Sequence, residues 1–115
     1  MFAKAALLAR CLAAFVVCSV SFSGWAETFE ETKRLADRGN VDAQYNLALM
    51  YYEGKGVLQD YVRAHMWYNI ASANGSENGP ENRDMVAEKM TSDQISEAQK
   101  MAREMVEANP KVMGD

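Results

Sequence analysis

The chain has 115 residues, a formal net charge of −4 and 49% hydrophobic residues, which bounds it to one small domain. All 16 acidic residues but only ten of the twelve basic ones follow residue 26. That part therefore carries −6, repels phosphate backbones and makes nucleic acid a poor partner. Both cysteines, Cys11 and Cys18, precede residue 26, which excludes a disulfide framework, a thiol nucleophile and a thiolate metal site from the remainder.

Residues 1–26 read as a secretory signal peptide. Lys4 and Arg10 give a basic start, Cys11 to Ser23 carries no charge, and Gly24-Trp25-Ala26 places small residues where a signal peptidase reads. The uncharged run falls well short of the roughly 20 residues needed to span a bilayer, which argues against a membrane anchor. Arg10 and Val17 precede the two cysteines, whereas a lipoprotein signal resembles a small residue at that place. The expected mature chain is 27–115, in the periplasm or the secreted space.

The rest reads as helix, with glycines as punctuation. A first helix is predicted from Thr28 to Arg38, with Glu30 and Glu31 in its first turn and Gly39 at its end. Asn40 can cap a second helix, Val41 to Glu53. At about 100° per residue, Ala43, Leu47, Met50 and Tyr51 share one face of it, and Asp42, Tyr45, Leu49, Tyr52 and Glu53 the other. Apolar groups on both sides predict either packing on two sides or one side offered to a partner.

Gly54-Lys55-Gly56 follows. A phosphate-binding loop needs a preceding strand, a longer glycine-rich loop and Lys-Ser or Lys-Thr. Here a helix precedes and glycine follows the lysine. The stretch reads as a corner between antiparallel helices.

Asp60 caps the predicted third helix, Tyr61 to about Asn74, on which Ala64, Trp67, Tyr68 and Ala71 follow helical spacing. Gly75 ends it. Pro80 opens a fourth helix with a weak apolar side at Met85, Val86 and Met90. Thr91 and Gln94 form a capping box for a fifth, lined by Ile95, Ala98, Ala102, Met105 and Val106, and Pro110 follows its end.

Ala43-Gln44-Tyr45-Asn46-Leu47-Ala48, Met50-Tyr51-Tyr52, Gly54-Lys55-Gly56-Val57, Asp60-Tyr61, Ala64, Trp67-Tyr68 and Ala71 together resemble a Sel1-like repeat, a relative of the tetratricopeptide repeat. Gly39 and Gly75 bracket it at a spacing close to the period of such helical pairs. Ala48 stands where the family usually has glycine, and Leu58 where proline is common. A second repeat near Gly75 is faint, and its Leu-Gly and Tyr positions are missing. The resemblance implies an all-α fold: a short α-solenoid of antiparallel helix hairpins, its best repeat at 39–75 and degenerate capping helices at 80–108.

No catalytic constellation emerges. His65 is the only histidine, so no histidine pair exists for zinc, and no serine sits in a nucleophile-elbow pattern. Glu53 and Asp60 flank the glycine corner, but as a solvated group and a helix cap they need no catalytic role. No cofactor or metal is expected. Asn74-Gly75-Ser76 fits a glycosylation acceptor, a short pattern that chance supplies often.

The resemblance implies a non-enzymatic protein–protein interaction module, an adaptor for another protein or peptide. The expected partner-binding residues are Asp42, Tyr45, Leu49, Tyr52 and Glu53, on the side that lines the concave groove of tetratricopeptide repeats. The competing expectation is that this stripe packs under the first or fourth helix. The alternative functions are a cell-envelope hydrolase of wall polymers or β-lactams, or an inhibitor of one. Secreted Sel1-like proteins linked to such hydrolysis are disulfide-rich, and this mature chain has no cysteine.

Overall fold

The computed structural model describes residues 28–114; the expected signal peptide lies outside them. The described residues form α1 (28–37), α2 (Val41–Glu53), α3 (Tyr61–Ala73), α4 (Gly79–Ala87), α5 (Ser92–Ala108) and a closing 3₁₀ turn, Pro110–Met113. None of these helices is long and apolar enough to cross a membrane.

Local chemistry sets each boundary. Asn40 accepts from the Ala43 amide at 2.9 Å, Asp60 from the Arg63 amide at 3.1 Å, and Thr91 closes a reciprocal capping box with Gln94. At the end of α1 the Asn40 amide reaches back to the Leu35 carbonyl and the Gly39 amide to Ala36. This pairing needs a left-handed residue, and Gly39 supplies φ +96°. Ser76 and Gly75 repeat the pattern at the end of α3, bonding Ala71 and Ser72.

The glycine corner is a helix connection. Gly54 takes the left-handed conformation, the Asp60 amide bonds the Tyr51 carbonyl at 2.9 Å, and the Gln59 side chain bonds the Tyr52 carbonyl at 2.8 Å. Lys55 pairs with Glu53 at 2.7 Å. The polar groups of the corner thus hold it to the last turn of α2.

Helix α3 is the axis of the fold. It packs against α2, α4 and α5, and Ala64, His65, Met66, Trp67, Tyr68, Ile70 and Ala71 are all buried. Trp67 is 2% exposed, so a large indole supplies much of the area that holds the helices together. Gly79 allows α4 to start hard against α3: a Cβ there would lie 3.1 Å from the Ser72 backbone nitrogen.

The core side of α2 differs from its expected face. Ala43, Leu47 and Tyr51 are buried as expected, joined by Gln44 and Ala48, while Met50 is only half-buried. Gln44 is fully buried because its amide is satisfied. Its Nε2 donates to the carbonyls of Ala36 (3.0 Å) and Val112 (2.6 Å), and its Oε1 accepts from Asn74 Nδ2 at 2.8 Å. Asn74 Nδ2 also donates to the Val112 carbonyl. The amide that the glycosylation pattern singled out is therefore a structural donor.

Val112 is fully buried on the 3₁₀ turn, and Asn109 donates to the Asp37 carbonyl at 2.7 Å. The C-terminal segment thereby returns to the α1–α2 corner. No cysteine is available there to fix so distant a contact; buried hydrogen bonds hold it, and each would cost heavily if left unmade.

Candidate partner-binding face

The five expected residues fall into two groups. Asp42 and Glu53 are exposed at the two ends of α2; Tyr45, Leu49 and Tyr52 are half-buried between them. Each tyrosine has a ring neighbour on α3. Tyr45 meets Tyr68 edge-on at 5.5 Å, and Tyr52 lies tilted against Tyr61 at 5.6 Å.

Both tyrosines also touch the α4 region. The Tyr45 hydroxyl accepts from Asn82 Nδ2 at 3.1 Å, and the Lys89 ammonium lies 5.4 Å above the Tyr52 ring. Each partner stands 37 residues further along the chain. Equal offsets at both ends mean that α4 runs parallel to α2, alongside it. The fourth helix therefore borders the stripe, and the tyrosines belong partly to the fold.

Leu49 differs. It sits between the two tyrosines and nearly opposite Leu47 on the helical wheel. The core takes in Tyr45 and Tyr52 as packed neighbours, and Leu49 is not among them. The competing expectation named the fourth helix as a neighbour of the stripe, but not Asn82 and Lys89 as the residues that touch its tyrosines. Their one available signal was the spacing from α2, close to the 36 residues that separate Gly39 from Gly75.

Two buried polar groups lie behind the face. Among the described residues, the Tyr68 hydroxyl and His65 Nδ1 have no hydrogen-bond partner. Burial pushes the Tyr68 ionisation far up. Burial lowers the His65 pKa, the nearby Arg83 charge lowers it further, and Asp84 acts in the opposite sense. His65 is 4% exposed, a core residue rather than the surface or half-buried packing residue that a lone helical histidine suggests. Among the described residues, no group of three or more His, Cys, Asp or Glu side chains could hold a metal ion. On the other side of α3, an apolar cleft of about 510 Å³ opens against α5, lined by Ile70, Ala102, Val106 and Met113 among others.

Two helices joined by a glycine corner, followed by a parallel third, are the geometry of a helical repeat. A family model, the Sel1 repeat, matches residues 41–76. Residues 41–76 of this chain are a Sel1-like repeat. The matched segment contains the α2–α3 hairpin, and α4 and α5 continue the solenoid beyond it. The crystal structure of a protective antigen present in uropathogenic Escherichia coli strains, displaying an SLR fold, superposes with a TM-score of 0.71 at 31% identity. The match covers 77% of this chain and 20% of that one, so the chain corresponds to about a fifth of its neighbour's length. No curated protein matches the chain. Sel1 repeats generally mediate protein–protein interaction.

Proposed function

We propose that this protein is a non-enzymatic adaptor of the bacterial periplasm or secreted space. It takes a segment of another protein on the α2 face formed by Tyr45, Leu49 and Tyr52, bordered by Asp42 and Glu53. The observation that carries the reading is Leu49. An apolar side chain on the side of α2 away from the core, framed by two aromatic rings that the fold already holds in place, is a preformed anchor site. Rigid aromatic groups bury area at little entropic cost and dominate binding hot spots. The location rests on the composition of residues 1–26.

Leu49→Asp separates binding from folding. Because Leu49 is outside the packed core, the variant should keep the wild-type urea midpoint and lose capture of the partner from cell-envelope extract. A variant that captures the same protein as wild type would end the reading. For the location, N-terminal sequencing of protein from periplasm or medium should begin at Glu27. An intact Met1 in the membrane fraction would contradict it.

A further inference from the structure

We infer that the segment received by this face is basic and amphipathic: an apolar side chain seated against Leu49, with lysine or arginine on its flanks. The inference rests on the preceding reading of the face and adds the chemistry of its occupant.

Two shallow hollows lie beside Tyr45 and its partner Asn82. One, between the first turn of α2 and the α3–α4 link, includes Asp42, Tyr45 and Glu77. The other, on α4, is lined by Glu81, Asn82, Asp84, Met85 and Glu88. Asn82 of the second donates to Tyr45 of the first, so the two hollows are neighbours. Met85 is an exposed apolar side chain in the second hollow, at 37%.

The charges on this surface are unbalanced. Of the five carboxylates in these two hollows only Asp84 has an ion pair, with Arg83 at 3.4 Å; Glu53, at the other edge of the face, pairs with Lys55. Asp42, Glu77, Glu81 and Glu88 form none among the described residues. The nearby cations do not balance them: Arg83 is shared between Asp84 and Asn69 Oδ1 on α3, the latter at 3.2 Å, and Lys89, over Tyr52, is a single positive charge against the unpaired carboxylates. Helix α1, by contrast, neutralises its own surface through Lys33–Asp37 and Arg34–Glu31.

Unpaired carboxylates around an apolar strip select by charge. They steer a basic segment toward the face and make an acidic one costly. Lysine and arginine also suit the strip itself, because their aliphatic stems can lie along tyrosine and methionine while the charged heads reach the rim. Anionic lipid surfaces and nucleic acids are repelled by the same carboxylates.

Selection from a random peptide library displayed on phage, with the purified chain as bait, tests this directly. The enriched peptides should carry net positive charge around one or two large apolar residues and should lose binding to Leu49→Asp. Synthetic copies should bind Glu81→Lys/Glu88→Lys about tenfold more weakly than wild type, roughly 1.4 kcal/mol. The control reversal on α5, Asp93→Lys/Glu97→Lys, should change affinity by less than about twofold, as expected for screened charges away from the contact. Thermal melts confirm that each variant is folded. Enrichment of neutral or acidic peptides that still depend on Leu49 would overturn the basic partner and leave the face standing. Equal losses from the two charge reversals would do the same. Peptides indifferent to Leu49→Asp, or no enrichment at all, would overturn the face and this inference with it.

Discussion

The side-chain amide of Gln44 lies 2.6 Å from the carbonyl oxygen of Val112, and this hydrogen bond joins the start of the repeat to the end of the described chain. The same nitrogen bonds the last turn of α1, and Asn74 completes the set from the end of α3. One buried amide therefore links α1, α2, α3 and the C-terminal turn. Gln44→Met keeps the volume and removes the donors. It should cost about 2–3 kcal/mol by leaving buried acceptors unpaired. Loss of residues 110–115 should cost a similar amount, and the two together should cost less than their sum, because both break one network. Urea midpoints of the four chains decide; strict additivity would show that the contacts are independent.

Gly39 and Gly75 provide a matched pair for locating the tail. Both have positive φ, +96° and +99°, so alanine strains both backbones by roughly 1–2 kcal/mol. Only Gly39 faces the C-terminal segment: an added Cβ would lie 2.6 Å from the Lys111 carbonyl and 2.7 Å from Gly114, whereas Gly75 has open space. Gly39→Ala should therefore be worse than Gly75→Ala by at least about 1 kcal/mol. In a chain ending at Asn109 the difference should vanish. A persistent difference would place the clash elsewhere.

Trp67→Ala and Thr91→Ala test the division between core and boundary. Trp67 is almost fully buried on α3, and its truncation should cost about 3–5 kcal/mol, a large part of the about 5–15 kcal/mol that stabilises an ordinary domain. Thr91 contributes a cap, and its loss should cost about 1 kcal/mol. Denaturant melts with equal, small shifts for both would show that the core is misplaced.

His65 predicts a pH dependence. Its folded-state pKa lies below the unfolded value of about 6.5. Between the two values the unfolded chain binds more protons than the native one, so stability rises with pH across that window. The contribution is complete above about pH 6.5 and is lost as pH falls toward the lower, folded value. Urea midpoints of wild type should drop on acidification from pH 7.5 to 5.5, and His65→Phe should flatten that part of the profile. An unchanged profile would mean that the imidazole is charged or solvated in the folded chain.

Features set by neighbours in sequence were legible before the structure. The bounds of α2, the caps Asn40, Asp60 and Thr91, and the glycine corner each depend on residues within one turn of one another. What was not legible depends on distant contacts. Gln44 counts as polar in a helical pattern, and its burial follows only from carbonyls at Ala36 and Val112. The 3₁₀ turn after Pro110 is too short to show periodicity, and its anchor, Val112, is a single apolar residue. The second helical pair kept the geometry of a repeat while losing its signature residues, so α4 beside α2 became visible only through Tyr45–Asn82 and Tyr52–Lys89. Of the stripe itself, periodicity placed five residues on one side of α2. It could not divide them into tyrosines held by the fold and a leucine left outside the core.

That division is the centre of the functional account, and site-specific photocross-linking tests it most directly. A benzophenone amino acid placed at Leu49 in living cells reports whatever lies against the face. The control is Leu58, which is 88% exposed on the glycine corner and away from the stripe. The account predicts a discrete cross-linked protein from position 49 and none from position 58. No product at 49, or the same products from both positions, would contradict it.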